Sequence, residues 1–140
     1  EEAISEPSEY EVMRTNSIAK KNRAIQSKLE KVISYTKQTM VAYMNEEDLN
    51  RLCAYIVEYS SGDTLQKISP VKVDSQLKSI DIMHFGWNIG KAFSKKRIHT
   101  ATFIKNVFAH ALRDIEISTI ERKMSHAESK CEINLDSKIA

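Results

Sequence analysis

The chain has few of the residues that make tight turns. Glycine occurs three times and proline twice among 140 residues, whereas average usage is about 7% for glycine and about 5% for proline. A β-sandwich or barrel needs a turn about every 8–12 residues, so the shortage argues against those folds and favours helices. Long apolar runs are also missing, since no stretch reaches the roughly 18 apolar residues of a membrane-spanning helix. We therefore expect no membrane partner.

Familiar catalytic motifs are missing as well. The sequence contains no glycine-rich phosphate loop, no HExxH and no GxSxG. The four histidines and two cysteines lack the close spacing of metal ligands. We therefore expect no metal, no cofactor and no enzyme activity. The enzymatic alternative is a helical ribonuclease, because RKMSH (residues 122–126) places a basic residue and a histidine four positions apart.

Two features of the sequence indicate the cellular compartment, namely its cysteines and its first ten residues. Cys53 and Cys131 lie far apart and do not resemble the disulfide framework of a small secreted protein. The first ten residues, EEAISEPSEY, are acidic and lack the basic and apolar regions of a signal peptide. We expect a cytoplasmic protein. Its net charge of +2 neither requires nor excludes a nucleic-acid partner, because clustering of charge decides binding.

A long helix is predicted over residues 9–44, which contain no glycine or proline. Ser8 is its N-cap, and Glu11 three residues later completes a capping box. The apolar residues of this helix follow a narrow seam with steps of seven, four and three: Ile18, Ile25, Leu29 and Val32. A helix with so narrow a seam needs a packing partner. We favour packing within the domain, and the alternative is a dimerisation arm that packs on a second copy.

The rest of the chain predicts four shorter helices. Asn45 caps the second, which ends near Gly62 in a left-handed cap. The third runs from Asp74 or Ser75 to about Phe93, with an end at Gly90 as the alternative, and should be central, because it is apolar on more than one face. Its glycines, Gly86 and Gly90, leave a smooth face that another helix can approach closely. The last two cover residues 98–112 and a short segment capped by Ser118.

These elements predict an all-α fold of about five helices. A flexible leader, residues 1–8, precedes a single helical domain over residues 9–125. A polar tail, residues 126–140, follows, in which CEINLD (residues 131–136) alternates as a short strand would.

Residues 98–124 resemble a helix–turn–helix in their pattern, with a turn over residues 113–117. In such DNA-binding pairs the second helix enters the major groove through its N-terminal residues. The buried set would be Ile115, Ile117, Ile120 and Met124. Glu116 and Glu121 would repel phosphates and the turn lacks glycine, so a plain pair of core-packing helices is the alternative.

A basic run, formed by Lys91 and residues 95–97, lies just before this pair. It suggests a phosphate-binding patch, although such runs are often solvated linkers. The predicted nucleic-acid surface comprises the run and the outward residues of the pair: Lys91, Lys95, Lys96, Arg97, Arg113, Ser118, Thr119, Arg122 and Lys123. The favoured function is a regulatory or accessory domain that binds nucleic acid, DNA before RNA. The alternative is a helical interaction or oligomerisation module, with no nucleic-acid role, that uses the seam of the first helix.

Overall fold

The computed structural model describes residues 6–62, 65 and 67–140. Within these ranges the chain forms five α-helices and no strand, which confirms the all-α prediction. The helices are α1 (Glu9–Met40), α2 (Glu46–Ser61), α3 (Ser79–Ala92), α4 (Arg97–Val107) and α5 (Ile117–Lys123). Most of the predicted leader, residues 1–5, lies outside the described residues.

The first helix begins where the capping box places it. The Glu11 N–H donates to Ser8 Oγ at 3.1 Å, and the Ser8 N–H donates to a Glu11 carboxylate oxygen at 3.4 Å. The helix ends at Met40 rather than at the predicted Met44, because residues 41–44 form a turn that redirects the chain. In that turn the Tyr43 carbonyl accepts from the N–H of Asp74, at 2.7 Å, which ties it to the loop before α3.

The second helix starts at the predicted cap, since the Asp48 N–H donates to Asn45 Oδ1 at 2.7 Å. It ends as expected at Ser61. The predicted left-handed cap at Gly62 is wrong, because that residue is extended, with φ −158°.

The third helix is the centre of the fold, as its apolar composition predicts. All but four of its fourteen residues are buried. It starts at Ser79, later than the predicted caps Asp74 and Ser75. Asp74 forms a tight turn instead, in which its carboxylate accepts from the Gln76 N–H at 2.8 Å. Asp and Asn side chains stabilise turns and helix starts by the same kind of bond, so the sequence did not distinguish the two.

Helix α4 lies directly against α3 at the two glycines. A Cβ at Gly86 would overlap the side chain of Ile104, and a Cβ at Gly90 would overlap that of Thr100. This confirms the predicted close approach. Tyr59 of α2 joins the same contact, because its hydroxyl lies 2.8 Å from Thr100 Oγ1 and its ring stacks on Phe103 with centroids 4.2 Å apart.

The last two helices are shifted from their predicted bounds. Helix α4 ends at Val107, not at residue 112, and a nine-residue connection, residues 108–116, follows. The backbone of Glu116 caps α5, so the predicted cap, Ser118, lies inside the helix. Ile120 and Met124 are buried as expected, whereas Ile115 and Ile117 are only half-buried.

The segment predicted as a polar tail forms neither a helix nor a strand over residues 126–140, yet it is bound to α3. We call residues 126–136 the strap. Ile133 is buried among the core residues, and three buried polar side chains of α3 bind the strap backbone. They are Asp81, His84 and Asn88.

Candidate interaction surfaces

The basic run lies where α3 ends and α4 begins. Lys91, Lys95 and Arg97 line a small pocket of about 150 Å³, together with Trp87 and Met124. The structure therefore brings these three predicted cations together. Lys96 is exposed and directly precedes α4.

Two cations of the run make bonds inside the protein. Lys95 Nζ lies 5.1 Å from the centroid of the Tyr59 ring and donates to the Gly62 carbonyl at 3.2 Å. Arg97 donates to the Glu121 carbonyl, and at 3.1 Å to Ser125 Oγ. A cation at the C-terminal end of a helix is favoured by the helix dipole, so Arg97 stabilises α5. A phosphate would have to compete with these bonds.

The predicted nucleic-acid residues divide between two ends of the α4–α5 pair. Arg97 joins the start of α4 to the end of α5, near the exposed Arg122 and Lys123. At the other end, Lys105 Nζ donates to the carbonyls of Leu112, Arg113 and Ile115, at 2.6, 3.3 and 2.6 Å. The end of α5 therefore lies near the start of α4, and the segment before α5 lies near the end of α4.

Three of the nine predicted residues lie at this second end: Arg113, Ser118 and Thr119. The exposed Arg113 pairs with Asp114 at 3.7 Å, and Thr119 is half-buried. Helix α4, with 11 residues, is roughly 16 Å long, which separates Arg113 from the start of α4, where Lys96 and Arg97 lie. The nine-residue connection also exceeds the 3–4 residues of a helix–turn–helix turn.

The first half of α1 projects from the protein. Every residue from 9 to 27 is exposed except the half-buried Ala19, and we call this segment the arm. Its 19 residues span roughly 28 Å. Further along α1, Val32, Thr36 and Met40 are buried in the core.

The predicted seam is therefore divided. Val32 is completely buried and Leu29 is half-buried against the core, so at these two residues the seam packs within the domain, as the favoured prediction has it. Ile18 and Ile25 remain 43% and 59% exposed. The physical reason is that the seam packs on α2 and α3 only where α1 passes over them.

Two open cavities flank α1 where it leaves the body of the protein. One, of about 600 Å³, is lined by apolar and polar residues that include Leu29, Ile33 and the exposed Val57 of α2. The other, of about 330 Å³, is lined by Ile25, Lys28 and Phe93, among others. The exposed apolar surface of the arm thus continues into grooves on the body.

The strap contacts were missed by the sequence analysis. The Asp81 carboxylate accepts from the N–H groups of Glu132 and Ile133, at 2.7 and 3.1 Å. Asn88 donates to the Asn134 carbonyl at 2.9 Å and accepts from the Asp136 N–H at 2.6 Å. The available signal was the spacing of polar residues 81, 84 and 88, which lie on one face of an otherwise apolar helix.

Metal and thiol chemistry is sparse. Over the described ranges, no group of three or more His, Cys, Asp or Glu residues is arranged to hold a metal ion. Cys53 and Cys131 are both free and half-buried. Burial raises the pKa of the Cys53 thiol, and the nearby Lys37 partly opposes that rise. No helix in the described part of the chain combines the length and the apolar character needed to cross a membrane.

No family model, no curated protein and no solved structure matches this chain.

Proposed function

We propose that the protein is a helical interaction module whose arm docks along a partner helix. The observation that carries this proposal is the arm itself, a helical segment of 19 residues that is exposed on all sides. In proteins most of the stability of a helix comes from tertiary packing of its apolar face rather than from the intrinsic helix propensity of its residues. The arm receives such packing only at its C-terminal end.

The apolar residues of the arm support docking. Single exposed apolar residues are ordinary on a protein surface, but five of them occur along this one segment: Tyr10, Val12, Met13, Ile18 and Ile25. Ile18 and Ile25 are two helical turns apart on the face that continues into buried Val32. A partner helix on that face would extend the core of the protein along the arm.

Site-specific photocrosslinking in the source cells tests this function. A photoreactive residue replaces Ile18 in one version of the full chain and Lys67, an exposed loop residue, in the control. We expect one crosslinked product of defined mass from position 18, absent from position 67 and reduced by Ile25→Asp. If position 18 gives no product beyond the control, the arm is not a docking surface.

Nucleic-acid binding, DNA before RNA, is the second candidate. It is favoured by the exposed cations gathered at one end of the α4–α5 pair: Lys91, Lys96, Arg122 and Lys123. Clustered cations bind phosphates by releasing counterions. Lys95 and Arg97 contribute less to this candidate, because both already bind protein groups.

A cytoplasmic location and the lack of enzyme activity stay predictions. The first fits the two free cysteines, because thiols persist in reducing compartments. The second is based on the missing motifs alone.

A further inference from the structure

We propose that the partner of the arm is the arm of a second copy, in antiparallel orientation. This inference depends on the proposed interaction function and names its partner. It is carried by the distribution of charge along α1. Residues 6–13 carry three carboxylates and no cation, whereas residues 14–31 carry six cations and one carboxylate.

This division of charge selects the orientation. Two parallel arms in register would place carboxylates beside carboxylates and cations beside cations. Two antiparallel arms place the acidic start of each beside the basic middle of the other. Like charges in adjacent positions destabilise helix contacts and opposite charges stabilise them, so the antiparallel pair is favoured.

The seam sets the register. With 3.6 residues per turn, Ile18 and Ile25 lie on the same face of α1 as buried Val32. If Ile18 of one copy faces Ile18 of the other, a closed two-fold pair forms. Position 11 of one copy then lies beside position 25 of the other, and Glu11 lies between the partner arm's Lys21 and Lys28.

The same register brings the tip of each arm to a groove on the body of the other copy. In a two-fold antiparallel pair, a residue that directly precedes a seam position lies on the same side of both helices. Tyr10, which precedes position 11, therefore lies on the side of the other copy's Ala24, which precedes position 25. Ala24 lines the cavity of about 330 Å³ with Lys28 and Phe93, and Tyr10 is 67% exposed, so the exposed ring faces this open groove.

The dimer should be weak and sensitive to salt. Only a few apolar residues of each arm are buried, and the charge pairs remain near solvent, where salt screens them. We expect association in the micromolar to millimolar range, falling on the order of tenfold between low and high salt.

Sedimentation equilibrium of the full chain over a wide concentration range gives the first test. Lys21→Glu with Lys28→Glu changes two cations that flank the seam. Lys20→Glu with Lys31→Glu changes two cations of the same helix on the face turned away from it, and so is the matched control. We expect the first pair to abolish dimerisation and the second to leave it within about twofold. A monomer at every concentration, or equal loss in both variants, would overturn self-pairing.

Disulfide crosslinking tests the orientation. In a background of Cys53→Ser and Cys131→Ser, one preparation carries Arg14→Cys and another carries Asn22→Cys. Antiparallel arms bring position 14 beside position 22, so the disulfide dimer forms only when the two preparations are mixed. Parallel arms would instead link each preparation to itself, which would refute the orientation.

The mass of the photocrosslinked product distinguishes pairing with a second copy from docking on a different protein. A product of twice the chain mass supports the second copy. A product of another mass refutes self-pairing but retains the interaction module, and no product refutes both.

Discussion

The imidazole of His84 binds the backbone of Ile133, with Nδ1 2.8 Å from the carbonyl oxygen, although 49 positions separate the two residues. The other ring nitrogen, Nε2, lies 2.6 Å from the carbonyl oxygen of His126. Both ring nitrogens of His84 therefore face backbone carbonyl oxygens of the strap. His84 thus holds the two ends of a six-residue loop of the strap, residues 127–132, against α3.

We predict that His84→Gln releases the strap without unfolding the helices. A glutamine amide cannot reach both carbonyls, and a buried acceptor left without its donor costs about 1–3 kcal/mol. Hydrogen exchange should show faster exchange of the Glu132 and Ile133 amides, whereas the amides of α2 keep their protection. His110→Gln, at an exposed histidine, is the control. If strap amides exchange equally in both variants, His84 does not hold the strap.

The contact between α3 and α4 gives a second prediction. Gly86→Ala gains about 1 kcal/mol of helix propensity, but the new methyl group overlaps Ile104, and overpacking costs about 1–3 kcal/mol. We expect a net loss in the free energy of unfolding, measured by chemical denaturation. A double-mutant cycle with Ile104→Ala is the control, since removing that side chain makes room for the methyl group. Additive effects in the cycle would contradict a direct clash.

Sequence patterns predicted what local chemistry decides. The caps at Ser8 and Asn45 each depend on a few neighbouring residues, and both predictions were correct. The close approach at Gly86 was also correct, but its partner, Ile104 of α4, could not be predicted from neighbouring residues. The ends of α1 and α4 were misplaced, because tertiary contacts decide where a helix that could continue stops.

Long-range contacts account for what the sequence did not show. The strap binds side chains about 50 positions away, and no local signal pairs Asp81 with residue 132. The candidate site has the same limitation. Proximity in sequence grouped the basic residues, but it did not reveal that Arg97 binds α5, or that Val32 is buried while Ile18 is exposed.

The thiol of Cys53 provides a prediction about pH. Burial raises its pKa, so at a given pH it holds less thiolate than a free thiol, and thiolate is the reactive form. In a Cys131→Ser background, we expect alkylation by iodoacetamide to be slower than that of a small thiol and to accelerate only at higher pH. Lys37→Met should slow it further, because the lysine charge favours the thiolate. Lys31→Met on the same helix is the control. Faster alkylation in the Lys37→Met variant would contradict the prediction that the lysine charge favours the thiolate.

The second candidate function, nucleic-acid binding, predicts that affinity for DNA depends on the exposed cations at one end of the α4–α5 pair. Removing the four cations at the end of the α4–α5 pair should weaken binding of a labelled DNA duplex and reduce the dependence of binding on salt, since each phosphate contact contributes to that dependence. The variant carries Lys91→Ala, Lys96→Ala, Arg122→Ala and Lys123→Ala, and it spares Arg97, whose loss would disturb α5. The control removes four exposed lysines elsewhere: Lys67, Lys72, Lys130 and Lys138. Equal weakening in both variants would indicate non-specific attraction to net charge. An unmodified chain that binds neither DNA nor single-stranded RNA at low salt would eliminate this candidate and leave the arm as the functional surface.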